Sequence, residues 1–322
     1  MHRDDAPTAP APLTDIDLPL GDRRDGKVRV SYALSGERTG QRLFVTTDRL
    51  SAFDRIIAGV PYKGQVLNEL SAWWFAQTSD IVANHVVEIP DPNVTIARAA
   101  TPLPVEVIVR GHITGVTDTA LWTAYDRGDR TIYGHRLPEG LRKNQALPVP
   151  IITPTTKGHA GAHDVPITCD DVVARGLVDA DIWQQVQDAA LAVFDRGVQR
   201  GRDAGLILAD TKYEFGLDAA GELMLIDEVH TPDSSRWWVA ENYDRRLAAG
   251  DEPESLDKEV VRRALAAADF RGDGEVPSLG DDVWVATTAR YVDAYERLIG
   301  APFAYADYPA APRLRDAVAH LE

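Results

Sequence analysis

The 322-residue sequence predicts an α+β protein with two lobes. The first part of the chain is rich in strand patterns and the last part is rich in helix patterns, an order typical of α+β folds. The length also favours two lobes over one small core. We expect a flexible tail over residues 1–20, a small strand-rich lobe over 21–108 and a larger lobe over 109–322.

Short runs of β-forming residues predict the strands of the first lobe. VRVSYAL (28–34) and RLFVTT (42–47) are separated by a glycine-containing turn, and LPVEVIVRG (103–111) is almost continuously apolar. Between them, GQVLNELSAWWFAQTSDIV (64–82) has apolar residues at helical spacing, which predicts a helix.

The second part combines helices with one hairpin. Residues 181–205 have the clearest amphipathic pattern, which predicts a helix, and residues 257–270 and 281–300 predict two more. LILADTKYEF (206–215) and ELMLID (222–227) flank a glycine-containing turn and predict a β-hairpin.

Residues 134–168 have little periodicity and contain many Pro, Gly and His residues. A long segment without regular structure is usually functional or disordered when it lies in a compact domain. We therefore expect a long loop of one of these kinds.

Composition excludes several classes of protein. The formal charge of −16 argues against a protein that mainly binds nucleic acid or an anionic membrane, although a local basic pocket for a small anion is compatible with it. Cys169 is the single cysteine, so an intrachain disulfide is excluded and a reducing compartment fits. Apolar runs stay well below the roughly 18 residues of a membrane helix. We expect a cytoplasmic protein.

The predicted hairpin carries the densest charge. Asp210, Lys212 and Glu214 share one face of its first strand, because side chains alternate every second residue, and the return strand ends at Asp227. Paired carboxylates on adjacent strands suit Mg²⁺, which takes oxygen ligands and bridges to phosphates. A solvated face with a Lys–Glu pair is the alternative, and the hairpin register that would place Asp227 stays open.

Three polar segments could contact a small anion. TPDSSRWW (231–238) is a turn whose hydroxyls and Arg236 suit a phosphate or a carboxylate, although an ordinary turn fits equally well. DGKVR (25–29) lacks the spacing of a phosphate-binding P-loop, and a simple basic turn is favoured there. DRLSAFD (48–54) is a polar loop of a kind that is common after strands.

The order of these segments is more specific than any one of them. Together they closely resemble the SAICAR synthetase family from about residue 26 to about residue 303. The segments that carry the resemblance are GKVR, FVTTDRLSAFDRI (44–56), LPVEVIVRGHITG (103–115), PIITPTTKGHAGAHD (150–164), GLILADTKYEFG (205–216), LIDEVHTPDSSRWW (225–238) and SLDKE (255–259).

The resemblance implies a reaction and a fold. ATP would phosphorylate the carboxylate of carboxyaminoimidazole ribonucleotide, and L-aspartate would displace the phosphate to give the succinocarboxamide. The small lobe would cover ATP, and the larger lobe would be of the ATP-grasp type. The implied partners are these small molecules and Mg²⁺, with no nucleic acid and no membrane, and the chain would be a monomer or a homodimer.

The resemblance also implies roles for individual residues. Glu214 and Asp227 would hold Mg²⁺, and the catalytic residues would be Lys212, Arg110 and Asp210, with Asp210 orienting Lys212. ATP would contact Gly26, Lys27, Arg29, Glu106, Ile108 and Lys212. The other substrates would contact Ser51, Asp54, Arg110, Lys157, Asp164, Ser234, Ser235 and Arg236.

Three features depart from the family pattern. Val30 replaces an acidic residue after GKVR, and His112 stands where a tyrosine usually follows VRG. GVTDTALWTAY (115–125) is an extended variant, shared with other long-form members, where some members have Gly-Ser. The changes at Val30 and His112 keep open a relative that makes the same aspartyl amide on another azole carboxylate, as in nucleoside-antibiotic synthesis. A non-catalytic nucleotide-binding relative is a third possibility, although Lys212, Glu214 and Asp227 are all present.

Overall fold

The computed structural model describes residues 10–53, 55–117, 119–157, 165–270 and 272–321. The chain is a mixture of helices and strands, which confirms the predicted α+β class. It divides into two compact units. The first comprises the described residues of Met1–Ala72, Val86–Ala99 and Asp257–Glu322, and the second comprises those of Trp73–His85 and Ala100–Leu256. The lobe boundaries expected from the sequence stay a prediction.

The secondary-structure elements are numbered in chain order. The strands are β1 (Arg23–Asp25), β2 (Arg29–Ala33), β3 (Gln41–Thr46), β4 (Arg49–Ala52), β5 (Arg55–Gly59), β6 (Val86–Asp91), β7 (Val94–Arg98), β8 (Thr101–Pro102), β9 (Val105–His112), β10 (Thr131–Ile132), β11 (His135–Arg136), β12 (Ala146–Ile152), β13 (Thr155–Thr156), β14 (Val165–Pro166), β15 (Leu206–Leu217), β16 (Leu223–Ile226) and β17 (Ser235–Val239). The helices are α1 (Lys63–Gln77), α2 (Leu121–Asp126), α3 (Cys169–Ala174), α4 (Ala180–Asp203), α5 (Tyr243–Ala249), α6 (Glu259–Ala267), α7 (Asp281–Ile299) and α8 (Ala311–Val318).

The first unit contains a five-stranded antiparallel sheet in the order β1-β2-β3-β7-β6. Alternation along β2 buries Val30 and Tyr32 on the same face of this sheet. Helix α8 covers that face through Leu314 and Val318, and the segment before β1 adds Leu13 to the same core.

Asp48 is a fully buried carboxylate that connects distant parts of the first unit. Its oxygens accept hydrogen bonds from the backbone N–H of Leu13 at 2.7 Å, from the backbone N–H of Gly64 at 2.8 Å and from the hydroxyl of Tyr308 at 2.8 Å. Burial raises the pKa of Asp48, although these three donors oppose the rise. A buried carboxylate is therefore satisfied by neutral donors from three parts of the chain.

The second unit is built on an eight-stranded antiparallel sheet. Five of its strands follow the order β14-β13-β9-β15-β16. In addition, β12 pairs with β9, and β8 and β17 pair with β15. Helix α4 packs against β15 through an apolar side that includes Val186, Val193 and Phe194. The two longest strands, β9 and β15, are neighbours, and they carry five of the charged residues singled out from the sequence: Glu106, Arg110, Asp210, Lys212 and Glu214.

Most predicted elements are present with small shifts at their ends. The three predicted strands of the first part, the four predicted helices and the hairpin are confirmed, although α1 ends at Gln77 and not near residue 82. Four shorter helices, α2, α3, α5 and α8, were not predicted. Their six to eight residues are too few for a clear periodic pattern.

The expectation of a long loop over residues 134–168 was wrong for part of that range, and residues 158–164 of it lie outside the described residues. Strand β12 lies within it and extends the sheet beside β9, with an irregular register between Ala146 and Ile151. Pro148 and Pro150 fall inside this irregular stretch. Proline cannot donate to a strand ladder, so the alternation that would reveal a strand is broken there. Among the described residues, no helix is long and apolar enough to cross a membrane.

Candidate active site

Paired strands bring the predicted charged residues together. Asp210 faces Arg110, and Lys212 faces Ile108, across the β15–β9 pair. Side chains two residues apart share a face, so the sequence placed Asp210, Lys212 and Glu214 on one side of β15. They belong to two groups. We call Glu106, Lys157, Lys212, Glu214 and Asp227 the lysine cluster, and Arg110, Asp210 and Arg236 the arginine cluster.

The lysine cluster surrounds the ammonium group of Lys212. Its Nζ lies 2.6 Å from Oε1 of Glu214, 3.2 Å from Oε1 of Glu106 and 3.7 Å from Oδ2 of Asp227. The second oxygen of Glu214 accepts from Nζ of Lys157 at 2.5 Å. Three carboxylates therefore converge on two ammonium groups, which leaves one formal negative charge.

The electrostatics of Lys212 follow from this arrangement. Desolvation alone would lower its pKa, but the negative charges of Glu214, Asp227 and Glu106 outweigh that effect and raise the pKa well above its ordinary value. Lys212 therefore stays charged throughout the physiological pH range. It can neutralise phosphate oxygens, and it cannot act as a base there.

The structure answers the open question about hairpin register. Glu214 pairs with Ile226, so Asp227 is the first residue after β16. Its backbone has φ = 71°, the left-handed region that aspartate tolerates better than most residues. The strand therefore ends in a sharp change of direction, and the Asp227 carboxylate lies beside Lys212.

The arginine cluster is centred on a buried carboxylate. Oδ2 of Asp210 accepts from Nη1 of Arg236 at 2.6 Å and from Nη1 of Arg110 at 3.3 Å. Nε of Arg110 also donates to the hydroxyl of Thr153 at 2.8 Å, and its Nη2 donates to the carbonyl of Thr119 at 3.4 Å. Asp210 therefore orients the two arginines, and the expectation that it orients Lys212 is replaced.

Two guanidinium groups share one carboxylate, so the arginine cluster has one formal positive charge. Burial lowers the pKa of Arg110, and the negative charge of Asp210 opposes that effect. A buried excess of positive charge is stabilised by an anion. The arginine cluster is thus suited to a phosphate or carboxylate group of a ligand.

The serine-containing turn lies directly beside this cluster. The hydroxyl of Ser235 is 2.8 Å from that of Thr211, and the hydroxyl of Ser234 is 3.3 Å from that of Thr231. The carbonyl of Ser234 accepts from the backbone N–H of Lys212 at 2.9 Å, which joins the turn to β15. Thr231 was not singled out from the sequence, although its place within TPDSSR was a usable signal.

Other predicted site residues belong to the first unit. The N–H of Gly26 donates to the carbonyl of Arg29 at 2.8 Å, forming a tight turn, and Lys27 is exposed within it. Nη2 of Arg49 donates to the carbonyl of Gly26 at 3.0 Å and to the carbonyl of Arg29 at 3.2 Å. Ser51 lies in β4.

Four more predicted site residues lie in β9 or outside the described residues. Glu106 and Ile108 both lie in β9, and the carbonyl of Ile108 accepts from the N–H of Thr153 at 2.8 Å. Asp54 and Asp164, predicted to contact substrate, lie outside the described residues.

Of the departures from the family pattern, Val30 is fully buried and His112 is partly buried. Val30 points into the core of the first unit. The ring of His112 lies 5.1 Å from that of Trp238 and 5.8 Å from that of Tyr243, and burial lowers its pKa to about 4. At neutral pH His112 therefore adds no charge beside Arg110.

Metal binding by protein side chains alone is not supported. Across the described ranges, no group of three or more His, Cys, Asp or Glu side chains is arranged to hold a metal ion. Glu214 and Asp227 provide carboxylate oxygens near one another, both within 3.7 Å of Nζ of Lys212. Such a pair suits a cation that takes its remaining ligands from water and phosphate.

Comparisons with known proteins agree on one family. A family model described as SAICAR synthetase matches residues 22–278. The phosphoribosylaminoimidazole-succinocarboxamide synthase of Legionella pneumophila (strain Lens) is 47% identical over 298 residues, which cover 92% of this chain and 94% of that protein.

Solved structures extend the likeness to three dimensions. A SAICAR synthase from Saccharomyces cerevisiae, solved in complex with SAICAR, aligns with a TM-score of 0.76 at 33% identity over 91% of this chain and 100% of that one. A type-2 SAICAR synthetase solved in complex with ADP aligns with a TM-score of 0.66 at 22% identity, over 88% and 100% of the two chains, and shows a shared fold.

Proposed function

The chain belongs to the SAICAR synthetase family of ATP-dependent carbon–nitrogen ligases, and from this premise we propose that it joins L-aspartate to carboxyaminoimidazole ribonucleotide in de novo purine synthesis. We place this reaction in the cytoplasm. The observation that carries the proposal is the pair of oppositely charged clusters on one face of β9 and β15.

The reaction has two steps. An oxygen of the azole carboxylate attacks the γ-phosphorus of ATP, and ADP leaves with the bonding electron pair. The amine of aspartate then attacks the acyl carbon, loses a proton, and displaces inorganic phosphate. The first step is necessary because a free carboxylate is a poor acyl donor, and it depends mainly on positioning and charge neutralisation.

The lysine cluster suits the phosphoryl-transfer step. Lys212 is a permanent cation for the transferred phosphate, and Glu214 and Asp227 are the residues that would hold Mg²⁺. When bound, Mg²⁺ supplies positive charge to the phosphate oxygens. Lys157 contacts Glu214 in this structure and is a second cation available to the transferred group.

The arginine cluster suits the ribonucleotide. Arg110 and Arg236 supply the net positive charge, and Asp210 holds both guanidinium groups in place. Ser234 and Ser235 directly precede Arg236 in the chain and would contribute to binding of the same substrate. The ribonucleotide carries a phosphate monoester, which is the kind of dianion that paired arginines bind well.

The family resemblance assigns roles to the remaining predicted residues. Gly26, Lys27 and Arg29 would contact nucleotide phosphate, and Glu106 and Ile108 would line the adenine pocket. Ser51 would contribute on the side of the other substrates.

An isotope experiment tests the proposed function directly. The protein is incubated with ATP, Mg²⁺, aspartate and carboxyaminoimidazole ribonucleotide that carries ¹⁸O in its carboxylate. We expect succinocarboxamide and ADP in equal amounts, with one ¹⁸O in the inorganic phosphate, because the bridging oxygen of the acyl phosphate comes from the carboxylate. Product and phosphate are analysed by mass spectrometry.

Two controls separate the alternatives. Omitting aspartate should abolish succinocarboxamide formation. ADP release that requires a different azole carboxylate would contradict the assigned substrate while keeping the ligase chemistry. Absence of turnover with any azole, despite nucleotide binding, would point to a non-catalytic relative.

A further inference from the structure

A hydrogen bond between two fully buried side chains lies behind the lysine cluster. Tyr213 sits between Lys212 and Glu214 on β15, so its side chain points to the opposite face of the strand, which packs on α4. There the Tyr213 hydroxyl is hydrogen-bonded to Nε2 of His230. Both residues are 0% exposed. The proposed reaction uses neither of them.

His230 is closely enclosed. Its ring lies 4.5 Å from that of Trp74 at 85° and 6.2 Å from that of Trp237 at 88°, both in edge-to-face arrangements. On the α4 side, a Cβ added to Gly197 would lie 2.3 Å from Cε1 of His230. The imidazole therefore fits only because residue 197 has no side chain.

The backbone of His230 is also constrained. Its φ of 50° lies in the left-handed region, as does the φ of 71° at Asp227. Its carbonyl accepts from Nε1 of Trp237 at 2.9 Å. The segment from Asp227 to His230 thus changes direction at both ends. At the His230 end it is held by two hydrogen bonds, one from the ring to Tyr213 and one from the carbonyl to Trp237.

Packing alone does not account for this histidine. Nδ1 of His230 has no hydrogen-bond partner within the described part of the chain. Burial lowers its pKa to about 3, so the ring is neutral at physiological pH. An unpaired buried polar atom costs about 1–3 kcal/mol, a cost that an apolar side chain would avoid. What the imidazole adds over an apolar residue is its bond to Tyr213.

We propose that Tyr213 and His230 are positioning residues that set the distance between the Glu214 and Asp227 carboxylates of the lysine cluster. Tyr213 holds the strand that carries Glu214, and His230 holds the turn that begins at Asp227. The bond between them fixes these two segments from the reverse face of the sheet. This inference rests on the proposed function, in which both carboxylates serve the nucleotide and its Mg²⁺.

Two variants test the inference by different routes. Tyr213→Phe removes one hydroxyl and keeps the ring, whereas Gly197→Ala pushes the imidazole away from α4. We expect each to lower kcat about 10- to 100-fold, because small errors in position are costly for phosphoryl transfer. We expect the KM for aspartate to stay within about twofold.

Nucleotide binding provides a readout that does not depend on product formation. ADP affinity is measured by calorimetry with and without Mg²⁺ for each protein. In the unaltered protein, we expect Mg²⁺ to strengthen ADP binding, and we expect most of this gain to be lost in both variants. ADP affinity without Mg²⁺ should change little.

Tyr32→Phe is the matched control. Tyr32 is another fully buried tyrosine, and its hydroxyl donates to the carbonyl of Ile16 at 3.0 Å and accepts from the N–H of Leu18 at 3.1 Å. This substitution should lower the melting temperature without changing kcat or the effect of Mg²⁺ on ADP binding. Both test variants are assayed well below their melting temperatures.

The outcomes separate the two proposals. The inference is overturned if Tyr213→Phe and Gly197→Ala behave like Tyr32→Phe, or if neither variant folds, since the bond would then be purely structural. If Tyr213→Phe alone fails to fold, the kinetics and ADP binding of Gly197→Ala decide whether the inference holds. If the unaltered protein makes no succinocarboxamide, the proposed function fails, while the Mg²⁺ effect on ADP binding still tests the positioning role.

Discussion

The lysine cluster and the arginine cluster are both centred on β9 and β15 but differ in charge and in exposure. The lysine cluster has a formal excess of negative charge, and the side chain of Lys212 is 28% exposed. The arginine cluster has a formal excess of positive charge, and the side chains of Arg110 and Asp210 are 7% and 6% exposed. The more exposed cluster suits groups that exchange during the reaction, and the buried one suits a group that must be held still.

The strand geometry explains how the two clusters can serve one reaction. Asp210 and Lys212 are two residues apart, and a strand advances about 7 Å over that interval. A single small substrate can therefore contact both clusters, with its phosphate at the arginines and its carboxylate towards Lys212. In the proposed function, the charged residues of β15 would therefore bring substrate binding and phosphoryl transfer next to each other.

The largest expected effect comes from removing one negative charge from the lysine cluster. We expect Glu214→Gln to lower kcat about 10³-fold or more, because the amide is a weak ligand for Mg²⁺ and no longer neutralises the charges of Lys157 and Lys212. ADP release is followed over a range of Mg²⁺ concentrations. Glu222→Gln, in the exposed turn of the same hairpin, is the control and should keep full activity. Near-normal turnover by Glu214→Gln would show that the ligand assignment is wrong.

A smaller effect is expected from the arginine cluster, and it should appear in a different kinetic constant. Arg236→Gln leaves Asp210 with one buried partner, so we expect the KM for the azole ribonucleotide to rise about 10²-fold. The KM for ATP should change by less than about twofold. Steady-state kinetics with each substrate varied in turn measure both constants.

Arg130→Gln is the control for that substitution. Arg130 pairs with Glu139, whose side chain is 79% exposed, and such surface pairs contribute little. The control should leave both constants unchanged. A rise in the KM for ATP with Arg236→Gln, and none for the azole, would reverse the assignment of the two clusters.

The smallest expected effect concerns His112, which burial keeps neutral beside the arginines. Its pKa is about 4 in the folded chain against an ordinary value of 6.5. The unfolded chain therefore binds more protons between these pH values, and stability falls as the pH drops through the window. Between pH 7 and pH 5 the unaltered protein should lose about 2 kcal/mol more of its unfolding free energy than His112→Phe.

Urea denaturation at the two pH values checks this prediction. His230 is present in both proteins, so its contribution cancels. Equal losses in the two proteins would mean that His112 can be protonated in the folded chain, and the arginine cluster would then gain a third cation in mild acid.

The sequence predicted the charged face of β15 because a period of two residues requires only that the segment be a strand. It did not predict the partners of Asp210. Those depend on the register between β15, β9 and β17, which side-chain pattern alone leaves open. Thr153 and Lys157 were hard to place for a related reason. They reach the site through β12 and β13, whose proline-containing sequence hides the strand pattern.

Asp227 shows a second limit of sequence analysis. It was predicted to end the return strand, whereas β16 ends at Ile226, and its contact with Lys212 depends on a left-handed backbone at Asp227 itself. An aspartate can adopt the left-handed conformation, but its presence in a sequence does not predict that it will. The Tyr213–His230 pair was also hidden, because an apolar strand position and an isolated histidine give no sign that they will meet.

Asp48 has a consequence for how the chain is made. Two of its donors, Leu13 and Gly64, are synthesised close to it, whereas the third, Tyr308, follows 260 residues later. The second unit lies almost wholly between them, over Ala100–Leu256. On the ribosome, that unit can therefore fold while the first still lacks α8 and the Tyr308 hydroxyl. Completion of the first unit then waits for the last residues to emerge, during which its half-covered sheet needs protection from aggregation.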